Sequence, residues 1–372
     1  MQLLRLVQGQ VRLGEPLPWG VRDEHGKLLL ARGQVIASDA QLAALLERGA
    51  SVDIEEVRAA ASREEAAACR PVSLFAQWEQ VLWQLDRLLR SSAEPGFVKR
   101  VDELAQHIET LALRDPDIAI YLTVRQDPKR LTIYALAHSV HCSLVGLLMA
   151  RRLGWDAARV RTLMCAALTM NVAILELQGR MAAQGSAPTP PQMDMIRAHP
   201  AQGVAMLEAA GVTDPDWLQA VAQHHERPDG SGYPNGLREI GALPTVLRYV
   251  DVFMAKMAPR ALRTPLSPQL AARQLFQESG GAPASAAIIK EFGIYPPGEF
   301  VQLKSGEMAV VVRRSGDART PLAASVTDRQ GMPQVNTVVR DTAKPEFAIT
   351  ALAGERNLVL RVPPERLFGL PE

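Results

Sequence analysis

Three cysteines in 372 residues, Cys69, Cys142 and Cys165, are too few and too scattered to staple a fold or to build a cysteine-rich zinc motif. Their odd number points to a reducing compartment, and the chain is expected to be cytoplasmic. Charge of one sign is also missing. Lys and Arg total 41 and Asp and Glu 40, a formal net charge of +1, so no global field invites nucleic acid or a membrane surface. No apolar run reaches the ~18 residues of a membrane span. The most apolar stretch, around Leu144 to Ala150, ends at Arg151-Arg152. Met1 to Leu6 lacks the long apolar segment and small-residue cleavage site of a signal peptide. Internal repeats and low-complexity tracts are absent. Histidine is scarce as well, at seven residues, which makes its placement informative. What remains is ordinary globular composition, 47% hydrophobic and 22% charged, on a chain long enough for two or three domains.

Four segments follow from the patterning. Residues 1–60 read as a small mixed α/β module. Trp19 to Arg22 and Lys27 to Leu30 flank the turn sequence Asp23-Glu24-His25-Gly26, and Ser38 caps a helix carrying Leu42, Leu45 and Leu46. Residues 61–117 read as connecting helices broken at Pro71 and at Ala93 to Gly96, with Trp78, Val81, Leu82 and Leu85 on one apolar face and Val98, Val101, Leu104 and Ile108 on another. Such stripes serve a core or a homodimer interface, the core being the commoner use. Helical periodicity dominates residues 118–292, with proline punctuation at Pro188 to Pro191. Residues 293–372 form a β-rich tail, with short β-prone runs at Met308 to Val312, Ala323 to Val326, Phe347 to Thr350 and Leu358 to Val362. The expected fold class is mainly α: a helical domain flanked by a small N-terminal α/β module and a C-terminal β-rich tail.

The most informative stretch is His224-His225-Glu226-Arg227-Pro228-Asp229-Gly230-Ser231-Gly232-Tyr233-Pro234. Adjacent imidazoles can offer metal-ligand nitrogens where a helix ends, and the Gly- and Pro-rich run behind them must be a tight, shaped loop. The run resembles the HHE…DGxGYP motif of the HD-GYP phosphohydrolases, whose characterised members hydrolyse cyclic di-GMP at a His/Asp metal centre. The likeness extends over about Arg125 to Glu291 and implies an all-α HD-type domain. It implies that His138, His199 (in His199-Pro200-Ala201-Gln202-Gly203), His224, His225 and Asp251 stand at metal-ligand positions. Pro200 is expected to start the helix carrying Gly203 and to leave His199 at its N-terminal end. His141, one turn from His138, reads as structural, and His25 and His107 as solvated.

The chain departs from the family at its eponymous pair. Where the family has Ala-Ala-Leu-Leu-His-Asp-Ile-Gly-Lys, this sequence has Ala166-Ala167-Leu168-Thr169-Met170-Asn171-Val172-Ala173-Ile174. Met170 stands for the His, Asn171 for the bridging Asp and Ile174 for the Lys, while Met254 takes the place of a second acidic residue that many relatives carry. A thioether is a poor partner for hard cations, and an amide lacks the charge that a bridge between two cations needs. A dinuclear centre is therefore not expected. His199, His224 and His225 could still hold one divalent transition metal (Fe, Mn or Zn), provided that the adjacent His224 and His225 do not point apart. Arg260 and Arg263 match basic residues that contact the dinucleotide phosphates in relatives, and guanidinium forks suit that work. Asp229 and Tyr233 lie in the shaped loop, near the substrate or a docked GGDEF domain in the family, although Asp229 could equally brace its own turn.

Two readings stay open: a catalytically silent sensor or scaffold in cyclic di-GMP signalling, and a weak phosphodiesterase with a rearranged mononuclear site. A third, the related HDOD-type regulatory domain, fits less well because such domains do not keep the Gly232-Tyr233-Pro234 loop or His199, His224 and His225.

Overall fold

The computed structural model describes residues 3–5, 11, 13–23, 25–60, 72–127, 130–353 and 362–370. Cys69, Pro71 and all but the last residue of the Leu358 to Val362 strand lie outside them. The chain divides into two compact units, Met1–Val72 and Ser73–Glu372.

The first unit is an antiparallel sheet with α-helices. Its strands are β1 (Leu3–Arg5), β2 (Val21–Arg22), β3 (Leu28–Leu30) and β4 (Ser51–Asp53), in the order β1-β4-β2-β3. The β2–β3 turn forms because the Asp23 carboxylate accepts from the backbone N–H groups of His25 and Lys27. Helix α1 (Asp39–Glu47) starts at Ser38, whose hydroxyl accepts from Gln41 N, and a helix α2 is described over residues 54–60. Leu17, Trp19, Val21, Ile36, Leu42 and Val52 form the core of this unit.

The second unit is built around one large helical core. Helices α3 (Leu74–Arg90) and α4 (Phe97–Arg114) were expected as connectors, yet they belong to it: Trp78, Val81, Leu85, Val101, Leu104 and Ile108 are buried among residues of the helices that follow. An apolar stripe looks the same whether it faces a core or a partner, and here the chain covers it itself. Next come α5 (Pro116–Val124), α6 (Tyr134–Arg152), α7 (Ala157–Thr169), a 3-10 turn at Val172–Ile174, α8 (Leu175–Ala183), α9 (Pro190–Ala209), α10 (Pro215–Gln223), α11 (Ala242–Met257), α12 (Pro268–Glu278) and α13 (Pro283–Phe292). Helices α6 and α7 pack closely because Gly146 lets Leu163 approach its backbone; a Cβ there would meet the Leu163 side chain at 3.4 Å. The run Ala157–Ala183 has the length and mean hydropathy, 1.5, of a membrane span, but 72% of that window is buried inside the domain and the 3-10 turn interrupts it. We read it as core.

The C-terminal strands are β5 (Phe300–Leu303), β6 (Met308–Arg313), β7 (Leu322–Thr327), β8 (Pro333–Asp341) and β9 (Ile349–Leu352), antiparallel in the order β8-β7-β6-β5-β9. They are not a free tail. Alternation sends Val310, Val312, Ala324 and Val326 into the helical core, and Val301, Leu303, Ala309, Val311 and Ala323 to the other face under Tyr295, Phe347 and Ile349. Ion pairs from Arg313 to Asp115 and from Arg314 to Asp117 and Glu291 tie the sheet to the helices. Helix α14 (Pro364–Phe368) closes the unit, with Phe368 edge-on to Tyr121.

Candidate metal centre

Helix α6 is buried on nearly all sides and presents His138 and Cys142, four residues apart, on one face. Helix α11 brings Asp251 against them. His138 Nε2 lies 2.8 Å from Asp251 Oδ1, and Cys142 Sγ lies 3.5 Å from the same nitrogen. Tyr134, one turn before His138, stacks on its ring with centroids 5.5 Å apart, and its hydroxyl accepts from Arg260 Nη2 at 2.6 Å. Burial would raise the Asp251 carboxyl, but the His138 hydrogen bond and the surrounding imidazoles outweigh it and hold the group below the usual carboxylate range.

His199 does not open a helix as the sequence suggested. Helix α9 starts ten residues earlier, where Thr189 and Gln192 form a reciprocal capping box and Pro190 fills the first turn, so Pro200 falls inside it. Pro200 has no N–H for the carbonyl of Ile196. That carbonyl accepts instead from His199 Nδ1 at 2.5 Å. The proline thus gives the imidazole its anchor. A carbonyl only accepts, so Nδ1 carries the proton and Nε2 presents a lone pair. His224, at the C-terminal cap of α10, is anchored the same way: its Nδ1 donates to Val221 O at 2.7 Å.

The two Nε2 atoms face one another at 3.1 Å. Two lone pairs at that distance repel unless a proton or a cation lies between them. A proton is disfavoured: burial, then the neighbouring His224, lowers His199 to about 3, and burial lowers His224 as well. A cation fits, since two nitrogens each ~2.0–2.1 Å from a tetrahedral metal stand roughly 3.3–3.4 Å apart. His225 completes the trio, its ring 5.0 Å from that of His199 and held neutral chiefly by burial. The donor atoms of all three lie within 4.8 Å of one another, as do those of His138, Cys142 and Asp251. The residues present fit a divalent transition metal.

The loop behind His225 is shaped by Glu226, to which sequence reading gave no role. Its fully buried carboxylate accepts from Asn235 N at 2.7 Å and Leu237 N at 2.9 Å, pinning the far end of the loop. Gly232 is obligatory, because a Cβ there would lie 2.4 Å from Arg227 N. The Tyr233–Pro234 bond is cis, and Tyr233 stacks on His225 with centroids 4.5 Å apart. Asp229 is exposed and accepts from the backbone and hydroxyl of Ser231, so it braces its own turn. Glu226→Ala is expected to cost about 3–5 kcal/mol by leaving two inward N–H groups without their charged acceptor. Urea unfolding checks this; a loss under 1 kcal/mol would contradict it.

The degenerate positions sit inside. Met170, Asn171 and Ile174 are buried, and Asn171 Nδ2 has no partner among the described residues. The Met170 carbonyl lies against Gly203, one turn beyond His199 on α9. Of the two arginines, Arg260 extends over the Tyr134 ring, its charge 5.1 Å from the centroid, beside His138. Arg263 instead donates to the carbonyl of Ala255 near the end of α11. The structure therefore brings Arg260 toward the site and turns Arg263 to local capping. Cys142 was missed; its spacing of four from His138 was the available signal.

Helices α6 to α11, which bring these imidazoles together, define an HD-type helical domain. Residues 133–281 match the HD domain family model. Among similar proteins are a cyclic di-GMP phosphodiesterase of Pseudomonas aeruginosa, 28% identical over 58% of this chain and 52% of that protein, and the cyclic di-GMP phosphodiesterase response regulator RpfG of Xanthomonas campestris pv. campestris, 30% identical over 37% of each. The chain spans about half or less of the length of these relatives. An HDG"Y"P protein from Bdellovibrio bacteriovorus aligns over 78% of this chain and 99% of its own, with 13% identity and a TM-score of 0.49. The helical domain therefore has the HD-domain fold.

Proposed function

We propose that this domain is a non-catalytic, cytoplasmic sensor or scaffold in bacterial cyclic di-GMP signalling, with one divalent transition metal on His199, His224 and His225. The observation that carries it is the buried Met170-Asn171-Ile174 row, which puts a thioether, a neutral amide and an alkyl group where the family has a ligand, a bridging anion and a cation. A bound metal supplies positive charge and can activate water, but hydrolysis in this family needs a second hard cation held by a shared carboxylate. Phosphate recognition needs only charge and geometry. Here the trio's metal and Arg260 would supply the charge, while Arg263 stays with its helix end. A weak phosphodiesterase working from the trio alone is the second reading, favoured by the facing lone pairs of His199 and His224. A docked GGDEF domain or a second copy of the chain is the proposed partner of a pure scaffold, through the loop around Tyr233.

The test is calorimetry with cyclic di-GMP beside a hydrolysis assay on iron- and manganese-loaded protein. Binding without turnover is expected. Arg260→Ala should remove a charge-assisted hydrogen bond worth ~1.5–3 kcal/mol, weakening binding about 10- to 150-fold, whereas Arg263→Ala should leave it within a few-fold. Turnover comparable with an intact relative overturns the reading. No binding by wild type leaves only the scaffold.

A further inference from the structure

We propose that Cys142, His138 and Asp251 form a second, thiolate-ligated cation site that does without positions 170 and 171. It deepens the reading of the His199 trio as a metal site but does not require that trio to be loaded.

The argument starts from His138 Nε2, which faces both the Asp251 carboxylate and the Cys142 sulfur. Hydrogen bonding alone cannot satisfy both. If Nε2 carries a proton for Asp251, it cannot accept from the Cys142 S–H. If it accepts from the thiol, its lone pair faces a carboxylate. Nδ1 gives no relief, being buried with no partner among the described residues. A cation resolves the conflict, because nitrogen, sulfur and oxygen then all act as donors to one point. The 3.5 Å between Sγ and Nε2 is the separation expected for bonds of ~2.3 Å to sulfur and ~2.0–2.1 Å to nitrogen at a tetrahedral angle. Asp251 is closer to Nε2, at hydrogen-bond distance, and would open slightly on binding.

Charge points the same way. A thiolate and a carboxylate together neutralise a divalent cation, which a buried site requires. Cys142 thereby returns the negative charge that Asn171 lacks, from a different helix. On binding, three metal–ligand bonds form, the S–H bond breaks and its proton leaves to solvent. The Nε2 proton that His138 donates to Asp251 moves to Nδ1, which frees the Nε2 lone pair for the cation. The soft sulfur selects zinc, cobalt or ferrous iron over magnesium and manganese. Three protein ligands leave a fourth tetrahedral position for an outside donor. The simpler account, in which Nε2–H donates to Asp251 and Cys142 is a small buried hydrophobe one turn along α6, predicts no sulfur neighbour at a bound metal.

The full chain is loaded with zinc and read by metal analysis and by X-ray absorption at the zinc edge. A Cys69→Ser/Cys165→Ser background removes the other sulfurs. Two zinc equivalents with a sulfur neighbour are expected. Cys142→Ser should lose one equivalent and the sulfur signal, and in the cobalt form the near-ultraviolet sulfur-to-cobalt band. His199→Ala should lose the other equivalent and keep the sulfur signal. Zinc bound with no sulfur neighbour, or sulfur ligation persisting in Cys142→Ser, overturns the proposal. One equivalent carrying sulfur in otherwise wild-type ligands instead counts against the His199 trio alone. The absorption spectrum needs no Cys142 variant, so a folding defect in Cys142→Ser leaves the question decidable.

Discussion

The Met170→His/Asn171→Asp double variant is expected to hold one more tight equivalent of manganese than wild type. Position 171 sits in the turn after α7, whose Met170 carbonyl packs against the α9 turn that follows His199. Placed as the family's bridging Asp is, a carboxylate there would add a full negative charge beside the donor groups. Two unit charges about 4 Å apart attract by ~4 kcal/mol at an effective dielectric near 20, and even half of that is more than tenfold in affinity for each cation. Manganese is the informative probe, because the Cys142 group disfavours it while a carboxylate bridge favours it. Hydrolysis is not expected to appear with the metal, since Ile174 still stands where the family has a Lys. Metal analysis after gel filtration reads the stoichiometry. A folded double variant with no added manganese would mean that position 171 does not face the donors.

Which parts of this site the sequence disclosed follows from how each is encoded. The His224–Pro234 run is local: two adjacent imidazoles, a glycine that tolerates no Cβ and a Tyr-Pro step are contiguous, so their joint pattern is visible without a fold. His199 was visible, but its setting was not. Pro200 alone suggests a helix start, and it was overruled by a better start at Thr189, where both halves of a capping box and a first-turn proline agree. The compensation for that buried proline, the His199 anchor to Ile196, exists only once the helix runs through. Cys142 shows the other limit. A lone cysteine on an apolar helix has no meaning until Asp251 arrives from a helix more than a hundred residues away.

The same distinction separates elements from their assembly. The β-prone runs that became β6 and β7 alternate cleanly and were legible. Strand β8 was not, because it opens with Pro333 and lies at the sheet edge, where polar residues such as Gln334 and Asn336 are tolerated. The stripes of α3 and α4 were read correctly as apolar faces, but nothing in a stripe says what covers it.

The metal-free protein is expected to lose about 3 kcal/mol of stability between pH 6.5 and pH 5 through His141 and His199 alone. Both are lowered from 6.5 to about 3, His141 by burial and then by His138, His199 by burial and then by His224. With the folded values depressed, the unfolded chain binds these protons first as pH falls. Stability is therefore full about a pH unit above 6.5 and declines below it with a slope that approaches ~1.4 kcal/mol per pH unit per group until the folded values are reached. His224 and His225, also held neutral by burial, steepen the decline. Asp251 works in another window: its folded value is depressed below the ordinary 3.8, so its contribution is intact at pH 5 and is lost only in stronger acid. Urea unfolding of the metal-free protein at pH 6.5 and pH 5 measures the slope. His141→Asn should remove its share, and saturating zinc should suppress the part due to His199, since the bound cation occupies the lone pair that the proton needs. A flat profile between those pH values would mean that the imidazoles are open to water, and that the lone pairs of His199 and His224 are not the sealed, cation-ready pair described above.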